Sequence, residues 1–298
     1  MLTRFAPAPT GYLHLGHLVS ALYVWGLAPR YGANVLLRIE DHDRQRCRPE
    51  YETALLEDLD WLGFRPDIGS TDSFRAGRSP LRQSDNGDLY QQAVETLRMA
   101  GHRVYACGCS RSRSVDQAEG DEALAVRGGP YPGTCRDRGL EPGPGRGLRV
   151  MMPEGVESFE DLRLGRQSQE PARQCGDLLI RDRLGNWTYQ FAAVVDDLRQ
   201  GVDLVIRGED LLDSTGRQLL LARLLGREHA PRCFHHPLIL KPSGEKLSKA
   251  TRDTSLRDRR AAGATPEALM GEALAAVGLL PAPRPLGLDD ALEIVSGS

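Results

Sequence analysis

Residues 2–17 read LTRFAPAPTGYLHLGH, and this stretch decides the fold prediction. Residues 2–6 have the composition of a short buried strand, and residues 7–11 form a turn rich in Pro and Gly. From residue 13 to about residue 31, apolar side chains recur with helical spacing. The stretch therefore predicts a strand, a turn and a helix whose first turn carries two histidines.

The segments that follow continue this rhythm. A second strand is expected at 35–39, ending in Glu40, and helices are expected at 49–62 and 87–100. Strand, helix, strand and helix in this order are typical of a parallel sheet with crossover helices. Further strands are predicted at 149–152, 176–181, 202–207 and 236–240, and further helices at 187–195, at 214–225 and in the tail. Residues 108–148 lack apolar periodicity and predict an irregular insertion. The fold class is therefore α/β.

Composition narrows the function classes. The chain has 298 residues, 38 basic against 41 acidic side chains and a net charge of −3, so it lacks the strong positive charge of a general nucleic-acid binder, although a local basic face stays open. It has no apolar run of about 18 residues and no signal-peptide core, which predicts a cytoplasmic protein with no membrane partner. Six cysteines in such a protein favour metal binding over disulfides.

Lysine is rare and clustered. Of the 38 basic residues, only Lys241, Lys246 and Lys249 are lysines, and they fall within nine residues. Residues 246–249 read KLSK, and mobile point charges beside a serine suit the negative charge that moves along a reacting phosphate. The ordinary alternative is a solvated loop.

Two histidines open the first helix. His14 and His17 are three residues apart, so they share one face at a helix N-terminus, where free N–H groups already favour anions. Gly16 between them leaves room for a flat ring to approach the backbone. Two helical histidines are also common on polar surfaces, so this pattern alone is weak.

Taken together, residues 14–17 and the segment beginning at Lys246 resemble the HIGH and KMSKS motifs of class I aminoacyl-tRNA synthetases. The glutamyl branch of that family matches best, at residues 4–11, 38–41, 61–63, 194–197 and 206–211. The resemblance covers residues 3 to about 250 and implies a Rossmann-type parallel sheet. It implies catalytic roles for His14, His17 and Lys249, and ATP contacts, with Mg²⁺ bridging phosphates, from Gly16, His17, Lys246, Ser248 and Lys249.

The resemblance also implies a glutamate pocket. Arg4 and Arg207 would hold the carboxylates, Glu40 would pair with the α-amino group, and the Tyr189 hydroxyl would lie near the side-chain carboxylate. Two departures affect the pocket: Ala8, at a pocket position, replaces the serine of the family's Pro-Ser-Pro turn, and Ala193 stands where ordinary glutamyl-tRNA synthetases commonly carry Asn. Without the family, the same residues could be a surface charge, a helix cap and an ion pair.

A third group of candidate functional residues lies in the predicted insertion. Cys107, Cys109 and Cys135 supply three thiolates, and a segment without a core is where a structural zinc contributes most. The residues leave three candidates for a fourth ligand: Tyr131, Asp137 and His102. The standard ligand set favours His102. The resemblance implies Tyr131, because Cys-x-Cys followed by Tyr-x₃-Cys is the zinc pattern of the truncated glutamyl-Q tRNA(Asp) synthetases. Three free buried thiols are the alternative.

The length beyond Lys249 separates the subfamilies. Only 49 residues follow it, too few for the anticodon-binding region of a standard glutamyl-tRNA synthetase. The resemblance then indicates the glutamyl-Q tRNA(Asp) synthetases, which implies activation of L-glutamate with ATP without tRNA and its transfer to queuosine in the anticodon stem-loop of tRNA(Asp). The alternatives are a glutamyl-tRNA synthetase without its anticodon-binding domain and a non-catalytic, zinc-stabilised RNA-binding paralogue.

The expected organisation has four parts and no anticodon-binding domain. Residues 1–100 and 176–245 form the two halves of the catalytic domain, 101–175 form the zinc-binding insertion, and 246–298 hold the lysine loop and a short helical C-terminal region. A monomer is expected. Candidate RNA contacts are Arg111, Arg113, Arg127, Arg136 and Arg138, together with residues 252–260.

Overall fold

The computed structural model describes residues 1–109, 129–239 and 254–297. Its strands are β1 (Leu2–Phe5), β2 (Asn34–Leu37), β3 (Val104–Cys107), β4 (Gly147–Val150), β5 (Glu157–Asp161), β6 (Gly165–Gln169), β7 (Leu178–Arg181), β8 (Leu204–Gly208) and β9 (Arg232–His236). Its helices are α1 (Leu15–Arg30), α2 (Pro49–Leu62), α3 (Thr71–Arg75), α4 (Gly87–Met99), α5 (Pro171–Cys175), α6 (Tyr189–Gln200), α7 (Leu212–Leu224), α8 (Leu256–Ala261), α9 (Pro266–Ala276) and α10 (Leu288–Ser296). No helix in these ranges is long and apolar enough to cross a membrane.

The strands that carry the first residues of the chain pair in parallel. β1 pairs in parallel with β2, and β8 pairs in parallel with β9, which pairs in turn with β5. β1 lies beside β8, because the Asp203 N–H donates to the Leu2 carbonyl at 3.1 Å and the Leu2 N–H donates to the Asp203 carboxylate at 2.6 Å. The predicted α/β class with parallel strands and crossover helices is confirmed.

A second, antiparallel sheet lies apart from the first. It has the strand order β3-β4-β7 and packs with α4, α6 and α7 around a core that includes Tyr90, Phe191 and Leu221. The larger core surrounds α1, whose residues from Leu18 to Ala28 are nearly all buried. α6 packs in the core of the second sheet and contacts β1 through the bond between Asp197 and Arg4.

Close packing explains one glycine in α1. A Cβ atom added at Gly26 would lie 2.8 Å from the Cβ of Val295, well inside van der Waals contact. Gly26 therefore lets α10 cross α1 closely, and the C-terminal helices cover the apolar face of α1. The predicted helical C-terminal region is confirmed.

Several segments differ from the sequence prediction. The strand predicted at 236–240 lies at 232–236, because a continuous run of buried residues begins at Cys233 and Pro237 cannot donate to a ladder. The hairpin of β5 and β6 was not predicted, since its exposed face is polar and one strand reads GRQSQ. This hairpin falls in the range expected for the insertion, yet β5 pairs with β9, which also pairs with β8.

Candidate active site and metal site

The two histidines of residues 14–17 cap α1. His14 is the N-cap residue and accepts a hydrogen bond from the Gly16 N–H at its Nδ1, at 3.1 Å. The His14 N–H donates to Nδ1 of His17, also at 3.1 Å, so the two side chains form a reciprocal capping box. An Nδ1 atom that accepts carries no proton, so each neutral ring keeps its proton on Nε2. Both rings thus hold an N–H donor at the helix N-terminus.

Gly16 has a second role that the sequence did not indicate. A Cβ atom added at this position would lie 3.0 Å from Cε1 and 3.1 Å from Nδ1 of His14. The absence of a side chain at Gly16 therefore keeps the His14 ring in its capping position. Lys241, Lys246, Ser248 and Lys249 lie outside the described residues.

The turn before the helix is held against β2. The Arg38 N–H donates to the Phe5 carbonyl and the Glu40 N–H to the Pro7 carbonyl, each at 3.0 Å, so the parallel pairing continues past both strands. The turn containing Ala8 consequently runs beside Glu40. The structure brings these two predicted pocket residues together on the backbone.

Four buried charges join two predicted glutamate contacts. Arg38 donates from Nη2 to Glu40 at 2.8 Å and from Nη1 to Asp197 at 2.7 Å, and Asp197 accepts from Nε of Arg4 at 3.1 Å. We call Glu40, Arg38, Asp197 and Arg4 the ion-pair chain. Burial lowers the pKa of Arg38, but the charges of Asp197 and Glu40 outweigh burial and raise that pKa. Burial raises the pKa of Asp197, but the positive charges of Arg4 and Arg38 outweigh burial and lower that pKa.

Arg207 lies in a separate buried network. Its Nη1 donates to Gln218 at 2.6 Å and its Nη2 to Thr215 at 2.8 Å, and its Nε lies 3.1 Å from Nε2 of His235. The sequence alone allowed an ion pair of Arg207 with Glu209 or Asp210. Among the described residues, Arg207 forms neither pair, and Glu209 pairs with Arg163 instead.

Tyr189 lies at the first position of α6, half-buried. Its ring centroid is 6.2 Å from that of His42, and Nδ1 of His42 lies 2.7 Å from the side-chain oxygen of Gln83. The structure therefore groups Tyr189 with the segment that follows β2, as expected for a residue near Glu40.

Three cysteines converge in the described part of the predicted insertion. The sulfurs of Cys107, Cys109 and Cys135 all lie within 4.8 Å of one another, and those of Cys109 and Cys135 are 3.5 Å apart. Sulfurs around a tetrahedral zinc ion are separated by about 3.8 Å, given Zn–S bonds of about 2.3 Å. No described His, Asp or Glu joins this group. The Asp137 carboxylate pairs instead with Arg103 at 2.6 Å.

The Tyr131 hydroxyl lies beside the three cysteines. This hydroxyl lies 3.4 Å from the Cys107 sulfur and 3.9 Å from the Cys109 sulfur, and it accepts from the Cys135 N–H at 2.9 Å. Burial, followed by the hydrogen bond with Cys107, raises the pKa of this hydroxyl, so it is a neutral phenol in the absence of a metal ion. Three sulfurs and one oxygen are four possible donor atoms, which is the number that a tetrahedral zinc ion takes.

The thiol protonation states differ within the cluster. Burial and the hydrogen bond with Cys135 raise the pKa of Cys109 to about 11. Burial acts in the same sense on Cys135, but the hydrogen bond from the Gly108 N–H and those from Tyr131 and Cys109 outweigh it and lower that pKa to about 7. The cluster thus holds an anionic sulfur readily, as metal binding requires.

Arg149 is a neighbour of this cluster that sequence reasoning missed. It donates from Nε to the Cys107 sulfur at 3.4 Å, and its guanidinium lies 3.6 Å from the centroid of the Tyr131 ring. Its position in β4, opposite Tyr105 of β3, places it here. Strand register is a long-range property, so no local signal in the sequence could have identified it.

Most arginines proposed for RNA contact have protein partners where they are described. Arg136 pairs with buried Asp177 at 2.9 Å, and Arg259 pairs with Glu272. Arg257 donates to the Tyr12 hydroxyl at 2.7 Å, which ties α8 to the turn before α1. Arg138 is exposed. Arg111, Arg113, Arg127 and Arg252 lie outside the described residues.

Residues 1–283 match the family described as tRNA synthetases class I (E and Q), catalytic domain. The fold, the capped histidine pair and this match agree, and the chain belongs to that family. It is therefore an enzyme of the ligase class, as predicted.

Individual relatives define the branch. The chain is 39% identical to the glutamyl-Q tRNA(Asp) synthetase of Symbiobacterium thermophilum, over 98% of this chain and 91% of that protein. Proteins of the same name from Cupriavidus metallidurans and Geobacter sulfurreducens are each 42% identical, over 83% and 86% of this chain. The predicted resemblance to the glutamyl-Q tRNA(Asp) synthetases is confirmed.

Other relatives have the standard name. A glutamate–tRNA ligase of Frankia alni is 40% identical over 89% of this chain, which spans 53% of that protein. Among solved structures, the glutamate tRNA ligase of Elizabethkingia meningosepticum in complex with its amino acid superposes with a TM-score of 0.73 at 26% identity. This chain spans 65% of that structure's length.

Proposed function

We propose that this enzyme activates L-glutamate with ATP, without tRNA, and transfers the glutamyl group to queuosine at the wobble position of tRNA(Asp). The observation that carries adenylation is the pair of histidines at the N-terminus of α1, both with Nδ1 turned to the backbone. This arrangement places the Nε2–H groups of both rings at the helix N-terminus, where the helix dipole also favours the phosphates of ATP. The name shared by the 36–42% identical relatives supports the acceptor.

The reaction has two displacements. A carboxylate oxygen of glutamate attacks the α-phosphorus of ATP, the bond to the bridging oxygen breaks, and pyrophosphate leaves. A hydroxyl of the queuosine cyclopentene-diol then attacks the glutamyl carbonyl, AMP leaves, and the hydroxyl proton is released. No residue becomes a covalent intermediate. His14, His17 and Lys249 stabilise the charge that moves onto the phosphates, with Gly16, Lys246 and Ser248 at the nucleotide.

The amino acid is held by opposite charges. Arg4 and Arg207 bind its carboxylates, Glu40 binds the α-amino group, and Tyr189 lies near the side chain, in a pocket where Ala8 leaves the turn without a hydroxyl. A pocket with two cations and one anion fits the zwitterion with its extra negative charge. Glutamine would leave an arginine less well matched, which favours discrimination against it.

Two metals have different roles. Cys107, Cys109, Cys135 and Tyr131 would hold one structural zinc, which stabilises a segment that has little apolar core of its own. Mg²⁺ bound with ATP would supply positive charge at the phosphates.

Two measurements test the proposal. Pyrophosphate exchange into ATP should depend on glutamate and proceed without tRNA. Glutamylation should be robust with tRNA(Asp) that contains queuosine and absent with tRNA(Asp) that lacks queuosine but has an intact acceptor end. Equal charging of both forms would contradict the proposed acceptor.

The Frankia relatives support a second candidate, a glutamyl-tRNA synthetase that charges the acceptor end of tRNA(Glu). Stable charging of tRNA(Glu) would establish it. Absence of glutamate-dependent exchange, with intact RNA binding, would instead indicate a non-catalytic RNA-binding paralogue.

A further inference from the structure

The ion-pair chain has two ends and a middle. Its ends, Glu40 and Arg4, are the residues that we assign to the amino group and a carboxylate of glutamate. Its middle, Arg38 and Asp197, has no assigned role. Arg38 is fully buried, and the Asp197 side chain is 14% exposed. The geometry points to Arg38 and Asp197 as positioning residues that fix the spacing and the charge of the glutamate pocket, an inference that rests on the proposed function.

The contacts of Arg38 fix a spacing. One planar guanidinium binds Glu40 through Nη2 and Asp197 through Nη1, so both carboxylates are held by one rigid fork. Glu40 is tied to the turn before α1 by its backbone, and Asp197 belongs to α6. Arg38 therefore sets the distance between these two walls of the pocket.

Asp197 orients Arg4. Its two oxygens accept from Nε of Arg4 at 3.1 and 3.3 Å, and Nη1 of Arg4 lies 3.4 Å from the Ile206 carbonyl. Nη2 is the remaining nitrogen, without a hydrogen bond to the described residues. With the Nε edge occupied, Arg4 can present only its outer edge to a substrate carboxylate.

Asp196 does not compete for Arg38. Its carboxylate accepts hydrogen bonds from Gln83, Tyr90 and Arg199, each at 2.9 Å, and it lies 4.0 Å from Nε of Arg38. Asp196 thus has hydrogen-bond partners of its own, and the two carboxylates that Arg38 contacts within hydrogen-bond distance are those of Glu40 and Asp197, with the Gln200 side-chain oxygen as a further acceptor at 2.9 Å from Nη1.

Stability alone does not explain the ion-pair chain. Buried ion pairs are often replaced by apolar residues without loss of stability, because desolvation offsets their attraction. A buried array that ends in two expected substrate contacts is better accounted for by the geometry it imposes. That role makes a prediction which a purely structural role does not: substitution in the middle should change glutamate affinity selectively.

The test is pyrophosphate exchange with full-length Asp197→Asn. An amide removes the negative charge that both Arg4 and Arg38 face. Its oxygen can keep the Oδ1 position that both arginines share, but its NH₂ group would then replace the second oxygen that faces Nε of Arg4. The KM for glutamate should rise at least tenfold while the KM for ATP stays within twofold. The matched control is Glu52→Gln, which weakens a partly buried ion pair with Arg82 at 2.5 Å outside the ion-pair chain and should leave both KM values unchanged.

A second variant, Arg38→Lys, keeps the positive charge but loses the fork, and it decides the question if Asp197→Asn does not fold. Its KM for glutamate should also rise selectively, and the double variant should show less than the product of the two increases, because both act through one chain. A glutamate KM within twofold of wild type in a folded variant overturns the inference alone. A wild-type enzyme without glutamate-dependent exchange overturns it together with the proposed function.

Discussion

Nδ1 of His235 lies 2.6 Å from Oδ2 of Asp161, and both side chains are fully buried. Burial opposes ionisation of Asp161, but the hydrogen bond from His235 and two backbone N–H donors lower its pKa, so it is an anion. Nδ1 of His235 therefore carries the proton, and Nε2 accepts from Nε of Arg207. A carboxylate thus orients, through one neutral imidazole, the arginine assigned to the substrate.

Asp161→Asn should destabilise the protein. The carboxylate accepts from His235 with one oxygen and from the Arg163 and Leu164 N–H groups with the other, and an amide would turn its NH₂ toward one of these donors. We expect a loss of about 3 kcal/mol in the free energy of unfolding, measured with urea. Ser158→Ala, at an exposed pair of serines on the same strand, should change it by less than about 0.5 kcal/mol. Equal stability of both variants would contradict this account.

The free energy of unfolding should decrease as the pH is lowered, because buried histidines resist protonation in the folded protein. Burial, only partly opposed by the hydrogen bond to the Pro237 carbonyl, lowers the pKa of His236 from 6.5 to about 4. The unfolded chain then binds a proton that the folded protein refuses, so stability is lost as pH falls from about 6.5 to about 4, by about 3 kcal/mol. The pKa of His235 is lowered as well, chiefly by burial, and acts in the same direction.

His236→Phe tests this assignment, because phenylalanine keeps the ring that stacks on Tyr23 at 4.9 Å. The free energy of unfolding of this variant should depend less steeply on pH, by about one proton, between pH 4 and 6.5. The exposed His229, changed to Gln, is the control and should leave the slope as it is. An unchanged slope in His236→Phe would show that His236 is not the group responsible.

Local sequence patterns predicted two helices within the first 100 residues. The helix predicted at 49–62 is α2 itself, and the one predicted at 87–100 is α4 to within a residue, because each has a continuous apolar face. The hairpin at 157–169 was missed, because polar residues interrupt the alternation of apolar and polar side chains there. The pairing of β5 with β9 is a long-range contact that the local sequence does not indicate.

Candidate pocket residues could be named from sequence, but not their partners. Arg4, Glu40 and Arg207 came from the resemblance. That Glu40 reaches Arg4 through Arg38 and Asp197, and that Arg207 rests on His235, depends on which strands lie side by side. Arg38 and Glu40 are only two residues apart, but the contacts of Asp197 with Arg38 and Arg4 span 159 and 193 residues, and that of Arg207 with His235 spans 28, beyond any local pattern.

The zinc content of purified variants tests the proposed zinc site directly. Cys109→Ser removes a sulfur that lies 3.5 Å from that of Cys135, and we expect the purified variant to lose most of its zinc from about one per chain. Tyr131→Phe should retain more zinc than Cys109→Ser, because three thiolates remain. Cys47→Ser, at a cysteine outside the cluster, is the control for metal content measured by elemental analysis. Full zinc occupancy in Cys109→Ser would defeat the assignment.

Gly16→Ala should separate activity from stability. The new methyl group would approach the His14 imidazole to 3.0 Å, so the ring must leave its capping position or move with the turn. Since Nδ1 of His14 caps the helix and thereby fixes where its Nε2–H points, we expect the rate of glutamate-dependent pyrophosphate exchange to fall at least tenfold.

The same substitution replaces a helical glycine, a change that by itself stabilises a helix by up to about 1 kcal/mol and so offsets part of the lost cap. The urea midpoint of Gly16→Ala should therefore stay close to that of wild type while its kcat falls. Gly87→Ala, at the start of α4 with open space around the added Cβ, is the matched control and should retain full exchange activity. If Gly16→Ala were fully active, the orientation of the His14 ring would not matter for adenylation, and the role proposed for the capping box would fall.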